Sequence, residues 1–367
     1  MKTVVIGISG GVDSSVAAIL LKEQGYNVIG LFMRNWDSSI NNDIEGNPNL
    51  NNNICPQEQD YNDALEVCKK LDIPLHRIDF VKEYWDYVFK YFLDELNKGR
   101  TPNPDIMCNK YIKFDLFIKE AKKLGADYIA TGHYAKMHNS NLCRSKDTNK
   151  DQTYFLSQLN KEQLENVLFP LGDIDKKEVR DLATKYDLVT ATKKDSTGIC
   201  FIGERNFKKF LSNYLESSKG SIIDITTNSV VGEHNGLMYY TIGQRKGLEI
   251  GGNNDRLFVV GKNTKENILY VALGEDNEYL YSDSCIIDTV NFNCDLRPDK
   301  CTAKFRYRAN DYPVELEYLD NNEILVKYSN VKAVTPGQAC VLYADELCIG
   351  GGIIKEVRKN SDALWYL

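Results

Sequence analysis

The chain carries one glycine- and serine-rich run whose composition suits the binding of a phosphate group. This predicted phosphate loop comprises Gly7, Ile8, Ser9, Gly10, Gly11, Val12, Asp13 and Ser14. A β-branched stretch typical of a buried strand precedes it, and an apolar stretch typical of a packed helix follows it. A turn between such elements presents unpaired backbone N–H groups, and glycines allow an anion to approach them. The alternative is a capped, glycine-rich turn that binds no ligand.

The composition of the phosphate loop separates it from two commoner phosphate motifs. It lacks the Gly-Lys-Ser/Thr ending of the P-loop and the third glycine of the dinucleotide-binding fingerprint. Its pattern, Ser-Gly-Gly-x-Asp-Ser, resembles the signature of the ATP pyrophosphatases. That resemblance implies that the chain binds ATP and cleaves it between the α- and β-phosphates to adenylate a substrate.

A second candidate for chemistry is the run Thr101–Asn109, which contains two prolines, an aspartate and a cysteine. The prolines predict an extended backbone that delays the start of the next helix to Asn109 or Lys110. Cys108 would then lie at the helix N-terminus, where the helix dipole lowers the pKa of a thiol. Asp105 could exchange protons with a substrate. The alternative is that Asp105 only caps the helix and that Cys108 is merely a small residue.

A second cysteine, Cys200, lies in a short run between two glycines and follows a pair of lysines. A glycine-flanked cysteine is more often an exposed loop residue than one on a periodic face. Its apolar neighbours Ile199 and Phe201 fit a buried strand equally well, so both interpretations stay open. Together with Cys108, this residue indicates redox or sulfur chemistry without proving it.

Two further groups could contact a ligand. His133 follows a predicted strand, and it could bind a nucleotide or substrate or be satisfied within the protein. A strand predicted at Ala303–Arg308 would place three cations on one face and two aromatic rings on the other. Such a strip suits the phosphate backbone of a nucleic acid. The alternative is an ordinary solvent-facing surface of a barrel.

The first part of the chain alternates strands and helices. This alternation predicts an α/β fold with a doubly wound parallel sheet covered by helices on both faces. The predicted strands are Lys2–Ile8, Asn27–Met33, Pro74–Val81 and Asp127–Thr131. Ligands bind such sheets beyond the carboxyl ends of the strands. The phosphate loop, Met33 and the turn that contains His133 all follow strand ends, so we expect one site at this edge.

The composition changes after residue 217. Short alternating runs rich in Gly, Val, Ile, Thr and Tyr then replace the helical patterns, and they include a strand predicted at Leu237–Thr241. A further block that begins near Cys285 predicts a β-barrel of about six strands. We therefore predict an ATP pyrophosphatase domain at residues 1–217, a small β-rich domain at 218–280 and a C-terminal β-barrel at 281–367.

Composition bounds the remaining possibilities. The 367 residues carry a net charge of −7 and contain no apolar run long enough to span a membrane. The chain opens directly on a predicted strand, so we expect no signal peptide and a cytoplasmic protein. The acidic charge means that a nucleic-acid partner would need local basic patches. The ten cysteines lack Cys-x-x-Cys spacing and only four histidines are present, so we predict no metal site.

Over its whole length the chain resembles the bacterial-type tRNA-specific 2-thiouridylases. The phosphate loop carries part of this resemblance. The other runs that carry it are Leu31–Trp36, Thr101–Phe114, Ala130–Tyr134, Lys150–Leu156, Asp195–Gly203, Tyr240–Gly247 and Thr335–Gln338.

The resemblance implies 2-thiolation of the wobble uridine of tRNA. ATP, with Mg²⁺, would lie on the phosphate loop with its adenine near Met33 and Gly132, and the uridine O2 would be adenylated. Cys200 would take sulfur as a persulfide from a sulfur-donor protein. Cys108 would attack or resolve that persulfide, leaving a transient disulfide, and Asp105 would act as acid, base or orienting residue. The implied tRNA contacts are Asn103, Pro104, Asp105, His133, Lys150, Asp151, Gln152, Arg306, Tyr307, Arg308 and Gln338.

Two other functions stay open from the residues alone. An ATP pyrophosphatase-type ligase or amidase acting on a small molecule would need neither paired thiols nor a barrel. A non-catalytic, nucleotide-sensing RNA-binding protein would not need Asp105, Cys108 or Cys200 at the ligand edge.

Overall fold

The computed structural model describes residues 1–45, 47, 56–195, 201–202, 205–248, 250 and 256–367. Cys200, one of the predicted site residues, lies outside these ranges. The described residues contain three sheets, which follow one another along most of the chain.

A five-stranded parallel sheet forms the centre of the N-terminal part. The order of its strands in space is β3-β2-β1-β4-β7. Val4, Val5 and Ile6 of the first strand are fully buried, as expected for a central strand covered on both faces. The strands up to this point are β1 (Thr3–Gly7), β2 (Asn27–Arg34), β3 (Leu75–Asp79), β4 (Tyr128–Ala130), β5 (Lys136–His138), β6 (Asn141–Cys143) and β7 (Val167–Leu168).

Helices cover both faces of this sheet. They are α1 (Val12–Glu23), α2 (Pro56–Lys70), α3 (Val81–Tyr84), α4 (Lys90–Asn97), α5 (Pro104–Met107), α6 (Phe117–Lys123), α7 (Thr153–Leu156), α8 (Lys161–Leu164), α9 (Lys176–Lys185) and α10 (Phe207–Leu211). π-Helical stretches join α3 to α4 (Trp85–Phe89) and α5 to α6 (Cys108–Leu116). Val4 packs on the face covered by α1, α2 and α9, whereas Val5 packs on the opposite, aromatic-rich face. The predicted doubly wound α/β fold is therefore confirmed.

The second sheet has four strands in the order β10-β11-β8-β9. These strands are β8 (Gly220–Asp224), β9 (Ser229–His234), β10 (Leu257–Asn263) and β11 (Ile268–Leu273). The strand predicted at Leu237–Thr241 is wrong, because Leu237–Tyr239 forms a 3₁₀ turn. Gly236, with a φ of 135°, turns the chain away from the sheet, and its N–H donates to His234 Nδ1 at 3.1 Å.

The third sheet closes into a barrel, as predicted. Around the barrel the order is β12-β15-β14-β13-β16-β17, and β17 pairs again with β12. A 3₁₀ turn, Glu278–Leu280, leads into it, and the short strand β18 (Asp362–Ala363) pairs with β17. The six barrel strands are β12 (Tyr281–Phe292), β13 (Lys300–Lys304), β14 (Tyr312–Leu319), β15 (Glu323–Lys332), β16 (Ala339–Ala344) and β17 (Leu347–Lys359).

Side-chain amides hold the barrel against the first domain. Gln158 Nε2 donates to the carbonyl oxygens of Thr289 and Gly351, at 3.1 Å each. In the opposite direction, Asn291 Nδ2 donates to the Leu159 carbonyl at 2.6 Å. The β5–β6 hairpin also pairs with β17. The barrel is therefore fixed beside the helices that border the parallel sheet.

The second sheet and the barrel lie within the predicted ranges 218–280 and 281–367, and the boundaries themselves stay predictions. No helix in the described ranges combines the length and apolarity that crossing a membrane requires.

Candidate active site

The phosphate loop connects β1 to α1, and its glycines meet a steric need. Gly10 has a φ of 74°, and a Cβ there would lie 2.1 Å from the Asp60 carbonyl oxygen on α2. The helix begins at Val12, and its N-cap residue Gly11 supplies no side-chain cap. The N–H groups of the first turn are therefore open to an anion. Ile8 and Val12 are buried, so these two predicted contacts can be made only through the backbone.

Met33 and Gly132 lie beside the phosphate loop. A Cβ at Gly7 would be 3.6 Å from Met33 Cε, and a Cβ at Gly132 would be 2.8 Å from the Ser14 backbone nitrogen. The carboxyl ends of β1, β2 and β4 thus bring the loop and both predicted adenine contacts to one edge of the sheet.

Two lysines that the sequence patterns did not assign to the loop contact it. Lys176, at the start of α9, donates to Asp13 Oδ1 at 2.6 Å and pairs with Asp195 at 2.8 Å. Lys193 donates to the Gly10 carbonyl oxygen at 2.9 Å and pairs with two aspartates of α2. The two ammonium groups lie on two sides of the loop, and each is paired with two carboxylates.

Nothing local in the sequence marks Lys176 as a partner of the loop, because it lies 163 positions from Asp13. Lys193 is visible from sequence only as a basic neighbour of the Cys200 run. Tyr134, whose hydroxyl donates to Asp13 Oδ1 at 2.8 Å, was identified only as part of a motif. These contacts depend on the way the elements pack.

The groups around the loop suit a nucleoside triphosphate. The first-turn N–H groups, Lys176 and Lys193 are donors of the kind that bind phosphate oxygens. The Asp13 carboxylate is an oxygen ligand of the type that Mg²⁺ prefers. Among the residues described, no group of three or more acidic, histidine or cysteine side chains could hold an ion. A metal at Asp13 could take phosphate oxygens or water as further ligands.

The structure contradicts the predicted late start of the helix that carries Cys108. The helix begins at Pro104, and the side chain of the N-cap residue Asn103 accepts a hydrogen bond from the Asp105 N–H at 3.2 Å. Proline suits the first helical position because its φ is already helical and no N–H is needed there. Cys108 is buried one turn further on, at the start of a π-helical stretch. Cys108 therefore does not lie at the helix N-terminus, where the sequence predicts it.

Asp105 is half-buried near the start of this helix. Burial raises the pKa of its carboxyl, and the charge of Lys113 opposes that rise. Further along the same helix, the Phe117 ring lies 3.8 Å from the position of a Cβ at Gly7. The helix that carries Asp105 and Cys108 therefore packs against the end of β1, where the phosphate loop begins.

His133 is enclosed by protein groups. Its Nδ1 lies 2.8 Å from Thr131 Oγ1, and its ring centroid lies 5.8 Å from that of Phe114. Burial holds the pKa of His133 well below 6.5, so the ring is neutral at physiological pH. This environment satisfies one ring nitrogen within the protein, and the predicted contact with RNA stays a prediction.

Cys200 lies outside the described residues, so its predicted roles and its pairing with Cys108 stay predictions. The residue that follows it, Phe201, is buried, and its ring centroid lies 5.3 Å from that of Trp36. The eight cysteines in the described part of the chain form no disulfide with one another.

Asp195, which precedes Cys200 in the sequence, forms ion pairs with three cationic side chains. It pairs with Lys150 at 2.7 Å, with Lys176 at 2.8 Å and with Arg180 at 2.6 Å. Burial raises the pKa of Asp195, but hydrogen bonds from Lys150 and Lys176 outweigh burial and lower it to about 2. This carboxylate links the lysine beside the phosphate loop to a predicted RNA contact.

The predicted RNA contacts Lys150, Asp151 and Gln152 differ in their surroundings. Asp151 is buried, and its carboxylate accepts a hydrogen bond from the Ser145 N–H at 3.0 Å. The Gln152 side chain accepts from the Tyr134 N–H at 3.0 Å. Lys150 stays 38% exposed at its side chain. Lys150 is therefore accessible to solvent beside its ion pair with Asp195, whereas the side chains of Asp151 and Gln152 accept hydrogen bonds from backbone N–H groups.

The strand geometry predicted for Ala303–Arg308 is wrong. β13 ends at Lys304, and the next residues form a turn. Arg306 points inward, and its guanidinium donates to the carbonyl oxygens of Ile242 (2.8 Å) and Ala333 (3.0 Å). Lys304, Arg306 and Arg308 therefore do not share one face, because the Arg306 guanidinium is bound by carbonyl oxygens inside the protein.

Two other predicted RNA contacts of the barrel also touch protein. The Tyr307 ring centroid lies 4.4 Å from that of Phe155, and Gln338 Nε2 donates to the Thr101 carbonyl at 2.7 Å. Arg308 is exposed, whereas Tyr307 and Gln338 are partly buried. Among these three residues, Arg308 is therefore the most accessible to a phosphate group of RNA.

Three known families match the chain in succession. Residues 2–204 match the tRNA methyl transferase HUP domain, residues 208–273 the tRNA methyl transferase PRC-barrel domain, and residues 282–354 the Aminomethyltransferase beta-barrel domain. The tRNA-specific 2-thiouridylase MnmA of Mycoplasmopsis synoviae is 60% identical over 368 residues, covering 100% of this chain and 99% of that protein. The chain belongs to the tRNA-specific 2-thiouridylase family.

Other 2-thiouridylases agree with this assignment. The protein of the same name from Bacillus cytotoxicus is 54% identical over 372 residues, which cover 99% of this chain and 97% of that protein. The predicted family and enzyme class, a tRNA sulfurtransferase, are thereby confirmed. Among solved structures, a 4-thiouridine synthetase–RNA complex with bound ATP is 17% identical, with a TM-score of 0.34, and covers 53% of this chain and 43% of that one. That similarity is too weak to support a conclusion.

Proposed function

We propose that this chain thiolates C2 of the wobble uridine of tRNA in an ATP-dependent reaction. The observation that carries the proposal is the end-to-end similarity to proteins named tRNA-specific 2-thiouridylase. The site supports it, because the phosphate loop follows β1 and the helix that carries Asp105 and Cys108 packs, through Phe117, against the end of that strand. The thiols and the tRNA substrate fit a cytoplasmic protein, and that location is part of the proposal.

The first step is adenylation. The uridine O2 attacks the α-phosphorus of ATP, the bond to the bridging oxygen breaks, and pyrophosphate leaves. Lys176, Lys193 and the first-turn N–H groups of α1 would neutralise charge on the phosphates. Asp13 would hold Mg²⁺, which would supply further positive charge.

The second step is sulfur transfer from a Cys200 persulfide, which a sulfur-donor protein has loaded. The terminal sulfur attacks C2, and AMP leaves with the former uridine oxygen. The Cys108 thiolate attacks the inner sulfur of Cys200 and the S–S bond breaks, so that its electron pair completes the C=S group. The product is 2-thiouridine with a Cys108–Cys200 disulfide, which an external dithiol reduces. If Cys108 acts first, sulfide is released and attacks C2, with the same overall balance.

Asp105 would hold or accept the proton that moves during adenylation, because its raised pKa brings it closer to neutral pH. Asn103, Pro104 and His133 would border the target base. Lys150 and Arg308 would contact RNA phosphates. The other predicted RNA contacts, Asp151, Gln152, Arg306, Tyr307 and Gln338, would support this surface from within the protein.

The test is direct. Purified protein is incubated with ATP, a persulfide or sulfide donor and unmodified tRNA, and the nucleosides are analysed by mass spectrometry. We expect 2-thiouridine, AMP and pyrophosphate in equal amounts. If no 2-thiouridine forms and a small-molecule acceptor supports pyrophosphate release without tRNA, the ligase or amidase function is correct instead.

A further inference from the structure

The segment Gly99–Thr101 is contacted by both of the β domains. It lies between the end of α4 and the start of α5, directly before Asn103 and Asp105. One contact comes from β10 of the second sheet, and the other comes from the Thr335–Gln338 turn of the barrel. Both contacts fall on the main chain, so they fix backbone position and not only side chains.

The contact from the second sheet is made by Lys262. Its side chain is almost fully buried, and Nζ donates to the Gly99 carbonyl oxygen at 2.9 Å. Gly99 terminates α4 with a φ of 75°, and a Cβ there would lie 2.6 Å from Thr264 Cγ2. Gly99 follows the C-cap residue of α4, Lys98, and the buried Lys262 side chain supplies a hydrogen-bond donor to the Gly99 carbonyl oxygen.

The contact from the barrel holds Thr101 from two directions. Its N–H donates to the Pro336 carbonyl at 3.0 Å, and its carbonyl accepts from Gln338 Nε2 at 2.7 Å. Gly337, with a φ of 90°, allows this approach, because a Cβ there would lie 2.9 Å from Arg100 Cβ. Neither peptide group of Thr101 is free to rotate without losing one of these bonds.

The chain beyond Thr101 is stiff. Pro102 and Pro104 fix two φ angles, and the side chain of Asn103 caps the helix that begins at Pro104. The short connection between Thr101 and Asp105 therefore has few free dihedral angles through which a displacement of Thr101 could be absorbed.

We propose that Lys262 and Gln338 are positioning residues through which the two β domains set the place of Asp105 and of the helix that carries Cys108. Gln338 acts through its hydrogen bond to the main chain of Thr101. The consequence for turnover rests on the function proposed above, whereas the consequence for the mobility of residues 99–108 does not.

The experiment compares K262M and Q338L, which remove the two donors from different domains, with K265M. Lys265 is exposed in the turn after β10 and is the matched control. Three quantities are measured: the tRNA dissociation constant, the rate of tRNA-dependent pyrophosphate release at saturating tRNA, and hydrogen exchange of the peptide that covers residues 99–108. Thermal unfolding identifies any variant that has lost its fold, and the variant in the other domain then carries the test.

We expect both K262M and Q338L to release pyrophosphate at least tenfold more slowly at saturating tRNA, and K262M to bind tRNA within about twofold of the unmodified protein. Exchange in residues 99–108 should be at least tenfold faster, with K265M unchanged in all three measurements. Weakened tRNA binding with normal exchange and normal rate at saturation would make Gln338 an RNA contact and overturn the proposal, as would two variants indistinguishable from K265M. If the unmodified protein shows no tRNA-dependent pyrophosphate release, the proposed function fails, and the exchange measurement still decides whether the two residues hold the segment.

Discussion

The ammonium group of Lys176 lies 2.6 Å from Asp13 Oδ1, so α9 brings a cation directly to the phosphate loop. The same group pairs with Asp195. We expect K176M to raise the KM for ATP at least tenfold, because the phosphates lose a cation and two carboxylates are left without it. The measurement is pyrophosphate release as a function of ATP concentration. Lys177, exposed on the same helix, supplies the control K177M, and an unchanged KM in K176M would remove Lys176 from the nucleotide site.

Gly10→Ala is expected to abolish adenylation. The new Cβ would lie 2.1 Å from the Asp60 carbonyl oxygen, so either the phosphate loop or α2 must shift. Gly25→Ala imposes a similar positive φ, 82°, at a site with no neighbour within 4 Å, and it controls for backbone strain alone. Pyrophosphate release and thermal unfolding are measured for both. Near-normal adenylation in Gly10→Ala would show that ATP binds elsewhere.

The two predicted site cysteines are expected to separate the two steps of the reaction. Cys200→Ser should lose thiolation from a persulfide donor while tRNA-dependent ATP consumption continues. Cys108→Ser should load the persulfide but form no internal disulfide after one turnover, as mass spectrometry of the trapped protein would detect. Cys143→Ser, at a partly buried position, is the control and should retain both steps. Native-rate thiolation in the double variant would refute the sulfur relay.

Arg306 and Arg308 are expected to behave differently, although they lie two residues apart. Arg306→Met removes donors to inward carbonyls and should cost about 2 kcal/mol of unfolding free energy. Arg308→Ala should leave stability within about 0.5 kcal/mol and reduce the salt dependence of tRNA binding by about one unit of slope. Denaturant unfolding and salt titrations of tRNA binding test both. A normal salt slope in Arg308→Ala would remove this residue from the RNA surface.

The pH dependence of the rate should report Asp105. Burial raises the pKa of its carboxyl, so the ionised form becomes populated only above the ordinary value of 3.8. If that form is the base, the rate falls as the pH drops through this raised pKa. The charge of Lys113 opposes the rise, so K113M should move the acidic limb to higher pH, whereas D105N should abolish it. Lys119, exposed on α6, supplies the control K119M. An unchanged acidic limb in D105N would assign the limb to another group.

Local patterns predicted much of the architecture because they depend on neighbouring residues. Buried β-branched residues flanked by helical patterns indicated the parallel sheet, and alternating runs indicated the barrel. The phosphate loop could be predicted for the same reason, since its turn depends on Gly10 and Gly11 themselves. The prediction that this helix starts at Asn109 or Lys110 is wrong, although the local sequence contains the correct signal. Asn103 and Pro104 together form an ordinary N-cap and first helical residue.

The sequence by itself determined most of the element types and the glycine-rich turn that is predicted to bind phosphate, but it did not determine which distant groups meet. Lys176 reaches Asp13 across 163 positions, and Gln338 reaches Thr101 across 237. The inward direction of Arg306 likewise depends on where the Ile242 and Ala333 carbonyls lie. A residue type fixes what a side chain can donate or accept, whereas its actual partner depends on how sheets, helices and domains pack. Only the tertiary structure therefore decided these contacts.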